Sequence, residues 1–293
     1  MKGRFAPSPT GVLHLGNLRT ALLAWLFARS AGSPFVVRIE DLDTGRVRPG
    51  LAAEQLADLA AIGLDWDGPV WVQSQRLAHY ERALASLPVY ECFCTRAEIR
   101  ESASAAHGPV GVYPGTCRGL SEAERVARRA AGRVPALRVR TDAAVVRFAD
   151  RVMGAQEGVV DDFVVRRNDG AFAYNLAVVV DDLAQGVEEV VRGADLLDST
   201  PRQIWLARAL AAAAAPPTAE GVVPAYAHVP LVLNAEGRRL AKRDGDVTLR
   251  EVDPAEAVQW MASSLGFSGR TARDLLEGFD PDELPQEPTV WIG

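Results

Sequence analysis

Two short apolar runs near the start of the chain, residues 3–7 and 34–39, flank a stretch in which Leu18, Leu22, Trp25 and Leu26 recur at helical spacing. The pattern predicts two buried strands joined by a helix. Asn17 is the expected N-cap and Gly32 the expected stop, so the helix begins just after His14-Leu15-Gly16. Its positive end then meets the carboxyl end of the first strand, where open parallel sheets bind phosphorylated ligands. Helical patterning returns over 51–62 and 77–87. From Tyr90 to about Leu183 the pattern changes, with three cysteines, a loop over 105–115, an Arg-rich stretch and alternating runs such as 136–139, and this segment reads as an insertion. Apolar alternation resumes over 174–180. A helix over 201–214, a linker over 215–224 and a strand over 230–233 follow, the strand expected to complete the sheet begun at the N-terminus. The last fifty or so residues carry helical patterning near 254–265 and 272–277.

Composition narrows the class. The 293 residues allow about two domains at roughly 150 residues each. Hydrophobic residues at 48% and charged residues at 24% exclude a disordered, collagen-like or coiled-coil chain. No apolar run approaches the roughly 18 residues that span a bilayer. Residues 21–28 are all apolar, but the Pro/Gly-rich start and Arg19 argue against a signal peptide, so a cytoplasmic protein without membrane contact is expected.

The net charge of −6 would repel a nucleic-acid backbone if spread evenly. It is uneven: residues 118–151 hold nine arginines against Glu122, Glu124, Asp142 and Asp150, a pattern open to a solvated face or an RNA contact. Cys92-Glu-Cys94 and Cys117 fit a reducing compartment and a metal or thiol role better than a disulfide framework. As zinc ligands they need a fourth partner, conventionally His107, and three inert core thiols are the alternative.

At the strand-helix junction, His14 with Gly11 and Gly16 offers an imidazole beside backbone that a phosphate can approach closely. The whole string Arg4-Phe-Ala-Pro-Ser-Pro-Thr-Gly-Val-Leu-His-Leu-Gly-Asn17 resembles the first signature of the class I glutamyl- and glutaminyl-tRNA synthetases. Arg38-Ile-Glu-Asp-Leu-Asp43, Phe172-Ala-Tyr-Asn-Leu-Ala177, Val191-Arg-Gly-Ala-Asp195 and Tyr226-Ala-His-Val-Pro-Leu231 resemble that family's later blocks, in its order. The resemblance implies an α/β fold: a Rossmann-like parallel sheet in two halves, residues 1–89 and 184–243. An inserted zinc-containing α+β subdomain akin to an acceptor-binding unit would occupy 90–183, and a short helical region 244–293.

The resemblance also assigns roles. Arg4, Ser8, Glu40, Tyr174 and Arg192 match positions that bind glutamate, whose one ammonium and two carboxylates call for a carboxylate and two cations. His14, Gly16, Asn17 and Lys242 match ATP-binding positions, with His14 and Lys242 expected to stabilise phosphate charge and Mg2+ to accompany the nucleotide. Lys242 sits in Arg239-Leu-Ala-Lys-Arg243, the counterpart of a Lys-Met-Ser-Lys-Ser loop, and it alone keeps the family identity. Arg outnumbers Lys 30 to 2 in the chain, so a lysine here suggests that a compact ammonium is wanted, against the alternative of a solvated hairpin tip.

Within the family, glutamyl-Q tRNA(Asp) synthetases carry a Cys-x-Cys, Tyr-x-x-x-Cys zinc pattern, which Cys92, Cys94, Tyr113 and Cys117 match. This implies one structural zinc with Tyr113 in place of His107. About fifty residues follow Lys242, whereas glutamyl-tRNA synthetases continue into a large anticodon-binding region, which also favours the glutamyl-Q group. The implied activity is ATP-dependent formation of glutamyl-adenylate and transfer of glutamate to queuosine at the wobble position of tRNA(Asp), by a monomer. Two alternatives stand beside it: a truncated glutamyl-tRNA synthetase charging a tRNA 3′ end, and a non-catalytic paralogue that binds nucleotide or RNA.

Overall fold

The computed structural model describes residues 1–95, 97–99, 113–213, 223–238, 240 and 247–291. The chain opens with β1 (Gly3–Phe5), α1 (Leu15–Ser30) and β2 (Phe35–Ile39), and β1 pairs in parallel with β2. α1 has a buried residue at almost every position from Leu15 to Ala28, as expected of a helix that is apolar all round rather than on one stripe. One side lies on β1 and on β9 (Glu189–Gly193); the other meets α7 (Pro254–Ser263) and α8 (Ala272–Leu276) of the C-terminal region. His14, not Asn17, is the N-cap of α1. Its side chain accepts from the Asn17 N–H while the Asn17 side chain accepts from the His14 N–H, a reciprocal box that moves the cap three residues upstream of the expected position.

Strand β3 (Trp71–Val72) extends the first sheet, and α2 (Leu51–Ala61) and α3 (Leu77–Ala85) match the two expected helices within two residues of their ends. On the other side of β1, the N–H groups of Glu188 and Glu189 donate to the Lys2 carbonyl at 2.9 and 3.1 Å, so β9 runs beside β1. The strand that carries the sheet onward is β10 (Ala225–Val229), parallel to β9 through five paired positions. The run expected to do this, 230–233, instead contributes β11 (Val232–Leu233), which pairs with β12 (Thr289–Val290) near the C-terminus. Pro230 explains the break, since it has no N–H to continue the ladder.

Residues 90–183 divide between two sheets. β4 (Val89–Cys92), β5 (Ala136–Val139) and β8 (Val164–Arg166) form an antiparallel sheet of their own, while the β6–β7 hairpin (Val145–Asp150, Gly154–Val159) joins β10 through β6. α4 (Glu122–Ala130) lies between β4 and β5 in sequence. The alternating run 174–180 is helical, within α5 (Tyr174–Gln185). Leu176, Ala177, Val178 and Val179 are buried in succession, the helix packing against α3 and α6 (Thr200–Ala213), so apolar residues in a row here mark a buried helix and not a strand. Gly186, at φ 64°, supplies the left-handed residue that ends α5. Among the described residues no helix is long and apolar enough to cross a membrane.

Candidate active site

A cavity of about 590 Å³ opens at the carboxyl ends of β1, β2 and β9. Its wall brings together Arg4, Ser8, His14, Gly16, Asn17, Glu40, Tyr174 and Arg192, residues that the sequence spreads over 189 positions. Lys242 lies outside the described residues, as does His107. The nearest described neighbours of the Lys242 string are tied to the cavity: Leu240 lines it, and on the far side Leu15 donates to the Val247 carbonyl at 3.0 Å while Thr248 bridges to His14.

The cap of α1 fixes the chemistry of His14. Because Nδ1 accepts from a backbone N–H, the neutral ring carries its proton on Nε2. Gly16 leaves room for it, since a Cβ there would stand 3.0 Å from Cε1 of the His14 ring and press on it. Gln55 holds the loop before the helix, its amide donating to the carbonyls of Ser8 and Gly11 at 3.1 and 2.7 Å.

One side of the cavity is a buried ionic network. Arg38, fully buried, reaches Glu40 at 3.1 Å and Asp182 at 2.8 Å, and Arg4 reaches Asp182 at 3.5 Å. Asp181, beneath them, is held by Arg76 at 2.6 Å and by the Tyr80 hydroxyl at 2.7 Å. Burial pushes the Glu40 carboxyl above its ordinary value, opposed by the Arg38 and Arg4 charges. A substrate ammonium beside Glu40 would favour its ionised form further.

The other side is a buried cation among neutral partners. Arg192, 4% exposed, donates from Nη1 to Gln203 Oε1 and from Nη2 to Thr200 Oγ1, both at 2.7 Å, with longer contacts of 3.4 Å to the Tyr174 hydroxyl and 3.3 Å to the Leu196 carbonyl. Its Nε–H donates to His228 Nε2 at 3.0 Å. His228 Nδ1 lies 2.6 Å from Asp150 Oδ2, and the other Asp150 oxygen accepts the N–H groups of Val152, Met153 and His228 itself. The sequence reading assigned no role to Arg38, Asp150, Asp181, Asp182, Gln203 or His228. Arg38 and His228 did fall within family-like strings, and Arg38 sits two residues before Glu40, on the same face of an extended segment.

A second cluster lies in the β4 region. The Sγ atoms of Cys92, Cys94 and Cys117 all fall within 4.8 Å of one another, and the Tyr113 hydroxyl lies 3.4 Å from Cys92 Sγ and 4.0 Å from Cys94 Sγ. Sulfurs on a tetrahedral zinc stand about 3.8 Å apart, so the spacing fits such an ion. Burial and the neighbouring thiols push the Cys94 thiol up to about 12, which a dication would reverse.

The nine arginines of 118–151 are largely engaged with the protein itself. Arg118 pairs with Asp142 and Asp162, Arg125 with Glu122, Arg129 with Glu91 and Glu122, Arg133 with Glu98, Arg147 with Glu157, and Arg151 with Glu189. Arg138 and Arg140 stack on Tyr113 and Tyr90. Acids from outside the stretch thus offset an excess that looked local in sequence.

Residues 1–283 match the family model of the catalytic domain of class I tRNA synthetases (E and Q). The chain belongs to this family. It is a ligase of the aminoacyl-tRNA synthetase type. It is 58% identical to a glutamyl-Q tRNA(Asp) synthetase of Nocardia farcinica, over 99% of this chain and 92% of the relative, and 46% identical to one of Symbiobacterium thermophilum, over 98% and 94%. Among solved structures it resembles a glutamate tRNA ligase from Elizabethkingia meningosepticum in complex with its amino acid (TM-score 0.80, 27% identity), covering 99% of this chain and 66% of that one. A glutamate-tRNA synthetase from Elizabethkingia anophelis is similar at TM-score 0.81 and 27% identity, over 99% and 68%. The chain therefore spans about two thirds of the length of these two ligases, against nine tenths of the glutamyl-Q relatives.

Proposed function

We propose that the protein activates L-glutamate with ATP and transfers it to queuosine at the wobble position of tRNA(Asp), a reading supported by its similarity to proteins named glutamyl-Q tRNA(Asp) synthetase. Support for the amino acid comes above all from the cavity, which pairs one buried carboxylate, Glu40, with the arginines Arg4 and Arg192. Arg192 is the observation that carries the reading: a buried guanidinium whose hydrogen-bond partners among the described residues are all neutral is completed by an anion brought by the substrate.

In this reading Glu40 and Ser8 hold the ammonium, while Arg4, Arg192 and Tyr174 address the carboxylates. His14 lies at the N-terminus of α1, where helix dipole and imidazole together favour phosphate. Gly16 and Asn17 shape the nucleotide's approach, and Lys242 would neutralise charge on the phosphates. The α-carboxylate attacks the α-phosphorus of ATP, pyrophosphate leaves, and a queuosine hydroxyl then displaces AMP from the glutamyl-adenylate. Positioning and charge stabilisation are what these side chains supply. Mg2+, when bound with ATP, would neutralise the nucleotide's phosphates.

Cys92, Cys94, Tyr113 and Cys117 would hold one structural zinc that clamps the unit 90–183. The catalytic halves 1–89 and 184–243, the helical region 244–293, a monomeric state and a cytoplasmic location complete the proposal.

The test is pyrophosphate exchange into ATP. Exchange with glutamate and without RNA is expected, with glutamine poor because its neutral amide does not satisfy an arginine lacking an anion. Equal exchange with both amino acids would overturn the assignment of Arg192.

A further inference from the structure

We propose that His228, anchored by Asp150, is a positioning residue that holds the Arg192 guanidinium in register for the substrate carboxylate while leaving its charge uncompensated. The inference rests on the reading of Arg192 given above and adds two residues to it.

The hydrogen-bond pattern fixes the tautomer. Arg192 Nε carries a proton and has no lone pair to offer, so at 3.0 Å His228 Nε2 must accept. The ring proton then sits on Nδ1 and is donated to Asp150 Oδ2 at 2.6 Å. A doubly protonated ring would set two donors against each other at Nε2. Burial and the nearby Arg192 and Arg4 charges lower the pKa of His228, against the pull of Asp150. Tyr226, stacked on the ring at 6.0 Å, is the other titratable group that faces it.

Direct pairing with a carboxylate would orient Arg192 equally well but would neutralise it. Here the anion stands one imidazole away, and among the described residues the groups touching the guanidinium are neutral. The arrangement separates orientation from charge neutralisation. With Nε, Nη1 and Nη2 each held by a short bond, the N–H groups whose contacts run to 3.3 and 3.4 Å are those a carboxylate would take over. Glutamate, which carries a charge where glutamine has an amide, gains most from such a cation.

Two substitutions divide the imidazole into its halves. In His228→Asn the amide nitrogen replaces Nδ1 and keeps the bond to Asp150, but the acceptor for Arg192 is lost. In His228→Gln the side-chain oxygen replaces Nε2 and keeps that acceptor, but the bond to Asp150 is lost. The positioning role predicts that His228→Asn raises the glutamate KM about tenfold or more and lowers glutamate-over-glutamine selectivity by a similar factor, with the ATP KM little changed. His228→Gln should recover most of that loss even if it melts at a lower temperature. A merely structural role predicts that both KM values follow thermal stability, making His228→Gln the worse variant, and this result would overturn the proposal. Arg192→Met separates the two levels: if it leaves the glutamate KM unchanged, the reading of Arg192 itself fails, whereas a large effect there with none in His228→Asn defeats only the role of His228. Histidine 15N resonances of the intact wild-type protein give a check that needs no variant. An unprotonated Nε2 at His228 is expected, and a protonated Nε2 would contradict the proposal.

Discussion

Arg38 Nη2 and Glu40 Oε1 meet at 3.1 Å because residues two apart in an extended segment share a face: Glu40, just past the end of β2, lines the cavity, and Arg38 lies fully buried behind it. Burial raises the pKa of Glu40, and the Arg38 and Arg4 charges oppose that shift. Replacing it with Gln removes the anion that would face the substrate ammonium. Glu40→Gln is expected to raise the glutamate KM about tenfold to a hundredfold, the value of one charge-assisted hydrogen bond, with a smaller effect on the ATP KM.

The same residue sets a pH dependence. A raised pKa means that the free site takes up its proton above the ordinary carboxylate range, so kcat/KM for glutamate should fall as pH drops through that window. In Glu40→Gln this limb should vanish. A limb retained in the variant would assign the titration to another group.

Zinc analysis tests the cysteine cluster. About one zinc per chain is expected, with chelator lowering the melting temperature of the whole protein. Cys92→Ser should lose the metal and Tyr113→Phe should hold it less tightly, whereas His107→Ala should retain it. Metal-free protein with unchanged stability would leave the thiols as core residues.

His228 predicts an acid limb in stability. Its folded pKa is depressed, so the unfolded chain binds the proton first: the contribution is complete above about pH 6.5 and is lost as pH falls through that value towards the folded pKa. The slope from this group is at most about 1.4 kcal/mol per pH unit. Urea unfolding at a series of pH values should show a shallower slope in His228→Gln than in the wild type.

Contiguous signals were the legible ones. α1 announced itself by the spacing of Leu18, Leu22, Trp25 and Leu26, and the cavity residues Arg4, Ser8, His14 and Glu40 sit in short strings at the ends of strands. What the sequence concealed depends on partners far apart. Asp150 and His228 are 78 residues apart, and nothing local marks either as the other's partner. The run 174–180 alternates like a strand, but contacts with α3 and α6 decide for a helix. The arginines of 118–151 looked unbalanced because Glu91, Glu98, Glu157 and Glu189 reach them from other segments.

Mapping labelled glutamate on RNA identifies the acceptor. Aspartate tRNA is offered in two forms, one carrying queuosine at the wobble position and one carrying guanosine, and nuclease digestion locates the label. Glutamate is expected on the queuosine nucleoside of the first and none on the second, which lacks the cyclopentene diol. Label on the 3′-terminal adenosine of unmodified glutamate tRNA, with none on queuosine, would contradict it.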